Sequence, residues 1–138
     1  MITKPIPYGR QHITDEDIQC VIDALKSDYL TQGPKIKEFE EAFASYVGCK
    51  YAIAVNNATA GLHLAATALD VNLGDKVIVT PLTFAASANC IRYRGGEVVF
   101  CDVEEDTYLM DIKKLSRLLS QSPKGTYKGI VLVDFAGY

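Results

Sequence analysis

The stretch KVIVTPLTFAASANCIRYRGGEVVFCDV, Lys76 to Val103, decides the fold. It opens on a short apolar run, KVIVT (Lys76–Thr80), rich in the β-branched residues that suit a strand. Pro81 breaks the run, and TFAASANCIRY (Thr83–Tyr93) then reads as a helix. Gly95 and Gly96 close that helix, and EVVFCDV (Glu97–Val103) reads as a second strand. Neither strand alternates apolar with polar residues. Strands that are apolar throughout and joined by a helix predict a parallel sheet covered on both faces.

The flanks continue this pattern. Upstream, YAIAV (Tyr51–Val55) reads as a short buried strand. Thr59 to Leu69 reads as a helix with Leu62, Ala65, Ala66 and Leu69 inward. Downstream, Asp111 caps a helix carrying Ile112, Leu115, Leu118 and Leu119, and GIVLVDF (Gly129–Phe135) is a last strand. Strand and helix alternate, so the class is α/β, a mostly parallel sheet flanked by helices. The first 50 residues differ, because they carry only helical patterns. Thr14 is an N-cap, Asp15, Glu16 and Asp17 put negative charge in a first turn, and Ile18, Val21, Ile22 and Leu25 follow at helical spacing. After LTQGP, Pro34 opens a second helix lined by Phe39, Phe43 and Tyr46, and Gly48 stops it. The expected organisation is a helical segment over 1–50 and an α/β region over 51–138.

Composition narrows the function classes. The 138 residues are 49% hydrophobic and 22% charged with a net charge of −3, as in an ordinary globular protein. Lys and Arg are scattered, which argues against a nucleic-acid surface. No apolar run is long enough to span a membrane, and MITKPIPYGR lacks the apolar core of a signal peptide. Cys20, Cys49, Cys90 and Cys101 form no C-x-x-C pair, and the histidines are His12 and His63, so no metal site is expected. Free thiols of this kind suit a reducing cytoplasm.

Four segments are candidates for chemistry. VNNATAG (Val55–Gly61) passes from strand to helix through small side chains. A helix start exposes unpaired N–H groups and partial positive charge, so a phosphate fits there, with the Thr59 hydroxyl as one more donor. A plain cap by Asn57 or Thr59 accounts for the segment equally well. No G-x-G-x-x-G or G-K-[ST] fingerprint is present, which disfavours a dinucleotide or nucleoside triphosphate. In VTPLTFAASAN (Val79–Asn89), Phe84 enters at a helix start where a ring could stack on a flat ligand, although by itself it reads more readily as a core residue. SDYLTQGPKI (Ser27–Ile36) is a functional loop or a plain connector. The acidic residues of VVFCDVEEDTYLMD lack calcium-loop spacing and read as a solvated strand exit before a capped helix.

Taken in order, LTQGPKIKEFEEAFASYVG, NNATAGLHLA, GDKVIVTPLTFAASAN and GIVLVDFAGY resemble the DegT/DnrJ/EryC1/StrS sugar aminotransferases over essentially the whole chain. Within the family, NATAGLHLA, TPLTFAASAN and VDFAG are most similar to the branch that aminates UDP-linked 4-keto sugars in pseudaminic-acid biosynthesis. The resemblance implies the N-terminal part of the type I (aspartate aminotransferase) fold, with pyridoxal 5'-phosphate as cofactor. It implies that Ala58 and Thr59 hold the cofactor phosphate and that Phe84 stacks on its ring. It places Asn57 beside the substrate, and Tyr8, Asp28, Tyr29, Leu30 and Thr31 in segments that close over the nucleotide-sugar. Glutamate as donor, a homodimer with shared active sites, and a role in surface polysaccharide or glycan synthesis are further implications.

The same resemblance puts the Schiff-base lysine and the acid facing the pyridinium nitrogen beyond Tyr138. The expected catalytic residues are therefore outside these 138 residues, and an inactive chain with only a binding role is one reading. A related sugar 3-dehydratase, with histidine at the lysine position, is another. In the family sheet, strands that come later separate the first strand from the second, third and fourth. YAIAV would then stand apart from an incomplete sheet, leaving strand edges unpaired and helix faces bare.

Overall fold

A computed structural model describes residues 7 and 9–138. The backbone divides into two compact units, Met1–Ala54 and Val55–Tyr138.

In the first unit, helix α1 spans Asp15–Lys26 and helix α2 spans Pro34–Val47. Thr14 caps α1 in a reciprocal box: its hydroxyl accepts from the Asp17 N–H, and the Asp17 carboxylate accepts from the Thr14 N–H at 2.8 Å. Pro34 occupies the start of α2, and Gly48 ends it in the left-handed conformation, where a side chain would be strained. Between the helices, a Cβ on Gly33 would lie 2.8 Å from that of Tyr29, so this turn requires glycine. Phe39 and Phe43 face each other with ring centres 6.0 Å apart.

YAIAV is not a strand. Residues 51–55 have no ladder partner among the described residues, and Tyr51 and Ile53 are exposed. A strand exists only through its neighbours. Here the Ala54 N–H donates to the Glu40 carboxylate at 2.8 Å instead.

The second unit comprises α3 (Ala58–Ala68), β1 (Lys76–Val79), α4 (Ala86–Arg92), β2 (Glu97–Phe100), α5 (Ile112–Ser120) and β3 (Tyr127–Val131). The three strands form a parallel sheet in the order β2-β1-β3. Ile78 of the middle strand pairs with Val99 and Ile130. Val77, Ile78 and Val79 are fully buried, each contributing about 1.5–3 kcal/mol of burial. Alternation sends them to opposite faces. Val77 and Val79 pack with Ala66, Val71, Cys90 and Ile91 on the α3–α4 side. Ile78 packs with Cys101, Met110, Leu115 and Leu118 on the α5 side. Both faces of β1 are therefore covered, as the uninterrupted apolar runs require.

Several boundaries depart from the sequence reading. α4 begins at Ala86 rather than Thr83, because its first turn is tight: Ser87 N–H bonds Phe84 C=O, and Ala88 N–H bonds Ala85 C=O. β2 ends at Phe100, and Val103 instead bridges Met110. β3 runs over Tyr127–Val131, and a 3₁₀ turn follows at Phe135–Gly137. On α3, Ala66 is buried and Leu62 packs on the core, but Ala65 is exposed and Leu69 half-exposed, its tip lying over Gly129.

Candidate functional site

The helices of the second unit set where the site lies. Past the ends of α3 and α4, Arg94 Nε donates to the Val71 carbonyl at 3.1 Å. Glu97 N–H donates to the Asp75 carbonyl at 2.8 Å, just before the strands begin. Both helices thus finish at the amino ends of the strands and start at the carboxyl ends, where parallel α/β sheets bind ligands. Asn57–Thr59, at the start of α3, and Phe84, between β1 and α4, therefore both belong to that end.

The start of α3 presents small side chains and backbone donors. Asn57 settles the choice of cap: its Oδ1 accepts from the Ala60 N–H at 2.9 Å, and its carbonyl accepts from Gly61. The remaining early N–H groups, those of Ala58 and Thr59, have no partner within the helix. No acidic residue sits in this first turn, so nothing opposes the positive end of the helix dipole. Ala58 is exposed and Thr59 half-buried, and their small side chains leave the backbone approachable. Two N–H groups and one hydroxyl suit phosphate oxygens, so this donor set fits a phosphorylated cofactor.

Phe84 is 78% exposed and therefore no core residue. A ring held at a strand exit with a free face can stack on a flat ligand. Asp28, Tyr29, Leu30 and Thr31 form the exposed connection between α1 and α2 in the first unit. Tyr8 lies outside the described residues.

Among the described lysines, several are engaged elsewhere. Lys76 and Lys128 pair with Glu97 and Asp75 near the amino ends of the strands. Lys50 lies over the Tyr51 ring. Lys114 does reach the β2 exit, but its Nζ is 2.9 Å from Asp102. That hydrogen bond raises its pKa and disfavours a neutral, nucleophilic amine. Two features at the same end of the sheet were not legible in sequence. Tyr108, held at positive φ, packs its ring 5.5 Å from that of Phe135 beside a 360 Å³ cavity. The other is Thr80, where β1 leaves the sheet.

The profile of the DegT/DnrJ/EryC1/StrS aminotransferase family matches residues 11–138. The chain belongs to this family. Its aminotransferases depend on pyridoxal phosphate. The UDP-4-amino-4,6-dideoxy-N-acetyl-beta-L-altrosamine transaminase of Campylobacter jejuni is 44% identical over 96% of the chain and 34% of its own length. The spore coat polysaccharide biosynthesis protein SpsC of Bacillus subtilis is 42% identical over 96% of the chain and 33% of its own. Among solved structures, the PLP form of a putative sugar aminotransferase from Streptococcus pneumoniae superposes with a TM-score of 0.87 at 36% identity, over 96% of the chain and 33% of its own. The chain spans about a third of the length of each of these relatives. The α/β class and the parallel sheet read from the sequence agree with this neighbour.

Proposed function

We propose that the chain forms the cofactor-seating part of a pyridoxal-phosphate-dependent aminotransferase that aminates a UDP-linked 4-keto-6-deoxy sugar for polysaccharide or glycan biosynthesis. One observation carries this reading: by the order and direction of helices and strands, the donor-bearing start of α3 and the exposed Phe84 both fall at the carboxyl end of the sheet. The similarity to the Campylobacter transaminase supports the sugar class.

In this reading, the Ala58 and Thr59 N–H groups and the Thr59 hydroxyl hold the cofactor phosphate. Phe84 covers one face of its ring and excludes water from that side. Bound pyridoxal phosphate supplies the electron sink for moving an amino group from donor to keto sugar. Asn57 stands beside the substrate, Tyr8 and Asp28–Thr31 belong to segments that close over the nucleotide-sugar, and glutamate is the donor. Residues 1–50 act as a helical segment and 51–138 as the first part of the cofactor-binding domain. The assembly is a cytoplasmic homodimer, with no nucleic-acid or membrane partner.

The test is Thr59→Val, titrated with pyridoxamine 5'-phosphate. Loss of a hydrogen bond to a charged group costs about 1.5–3 kcal/mol, so affinity should fall at least roughly tenfold. An unchanged dissociation constant would reduce this segment to a helix cap.

A further inference from the structure

The Thr80 hydroxyl is the one buried side-chain polar atom without a hydrogen-bond partner among the described residues. Thr80 is 1% exposed and lies one residue past Val79, whose carbonyl still accepts from the Cys101 N–H at 3.0 Å. Polar side chains in the adjoining segments are satisfied. Thr83 and Ser87 share a bond of 2.7 Å, and Thr107 donates to Glu104 while accepting from the Leu109 N–H.

A buried hydroxyl with no partner destabilises a fold, and valine would fill the same space without that cost. Thr80 has little freedom to find another partner. Its side chain is branched at Cβ, and the following Pro81 restricts its backbone to extended conformations. It also stands at the carboxyl end of the middle strand, the end at which α3 and α4 begin.

We propose that Thr80 is a further cofactor-binding residue, its hydroxyl hydrogen-bonding the bound pyridoxal-type cofactor. The inference rests on the proposed function and extends the site to the middle strand of the sheet. Thr80 lies outside the helix start and the aromatic that define the site above.

The experiment is titration of the 138-residue chain with pyridoxamine 5'-phosphate, followed by ligand fluorescence. Wild type is compared with Thr80→Val, Thr80→Ser and Thr59→Val, with circular dichroism on each. Thr80→Val is expected to keep its secondary structure and bind roughly tenfold more weakly, while Thr80→Ser binds as wild type. Unchanged affinity in Thr80→Val overturns the inference, and so does equal weakening in the Val and Ser variants, which marks a packing role. A Thr80→Val chain that loses its helical signal also overturns it, because the fold then needs the hydroxyl. If Thr59→Val weakens binding and Thr80→Val does not, only this inference fails. If wild type does not bind, the functional reading fails with it.

Discussion

The unit Met1–Ala54 and the unit Val55–Tyr138 are specified by local signals of similar quality, yet they bury very different amounts. Helix α1 has a full capping box, and α2 has a proline start and a glycine stop. Among the described residues of that unit, however, Ala44 is the only buried hydrophobic side chain, while Ile18, Val21, Leu25, Phe39 and Phe43 are exposed. In the second unit Asn57 and Asp111 cap α3 and α5 and α4 has no side-chain cap, but the unit encloses Val71, Val77, Ile78, Val79 and Ile91 almost completely. Caps and turns determine where a helix begins and ends. Whether its apolar stripe is covered depends on what packs against it, and helical stability comes mainly from that packing.

The sharpest way to break this comparison is a pair of truncations. Ile91→Ala empties a fully buried position and should cost about 2–5 kcal/mol, whereas Val21→Ala, on an exposed face, should stay within about 0.5 kcal/mol. Urea unfolding followed by circular dichroism compares them, and equal losses would show that the first unit is packed as well as the second. A smaller effect comes from overfilling the core. A Cβ at Gly96 would lie 2.8 Å from both Ile91 Cγ2 and Val71 Cγ1, so Gly96→Ala should cost about 1–3 kcal/mol in the same assay. A neutral result would mean that the junction of α4 and β2 is looser than the structure shows.

Acid gives the smallest effect and should not distinguish the units. The Thr14 N–H lowers the Asp17 pKa, the Lys114 side chain lowers that of Asp102, and the Lys114 N–H lowers that of Asp111. Each folded pKa lies below the unfolded value, about 3.9 for aspartate. The ionised forms therefore stabilise the fold fully above that value, and the contribution is lost as pH falls through the lowered folded values. Helical ellipticity should decline modestly below about pH 4. Asp17→Asn and Asp111→Asn, one in each unit, should flatten that decline. A profile unaffected by either variant would show that these caps do not titrate with the fold.

What was legible in sequence follows the range of the forces involved. Thr14, Pro34, Gly48 and Asp111 act within a turn of themselves, and all four were placed correctly. The parallel sheet was legible because burial on both faces leaves an uninterrupted apolar run, as in KVIV and EVVF. Tyr51–Val55 carries the same composition and is not a strand, since pairing depends on a neighbour that composition does not encode. At the site, the small residues and the hydroxyl of Asn57–Thr59 marked a helix start, but Asn57 and Thr59 are both good caps and only the geometry chose between them. The exposure of Phe84 and the unpaired hydroxyl of Thr80 are properties of the packed chain, so no local pattern announces them.

The cap at Asn57 carries a consequence for the history of this position. Because Oδ1 is held by the Ala60 N–H, the side-chain nitrogen is left as a pure donor. Aspartate would cap the helix as well or better, so selection for stability alone would let the position drift between the two. Yet aspartate would remove the donor and set a negative charge beside the proposed phosphate seat. Among descendants that keep the chemistry, asparagine should persist here, and a lineage that has turned to aspartate should be one whose helix is intact and whose ligand has been abandoned.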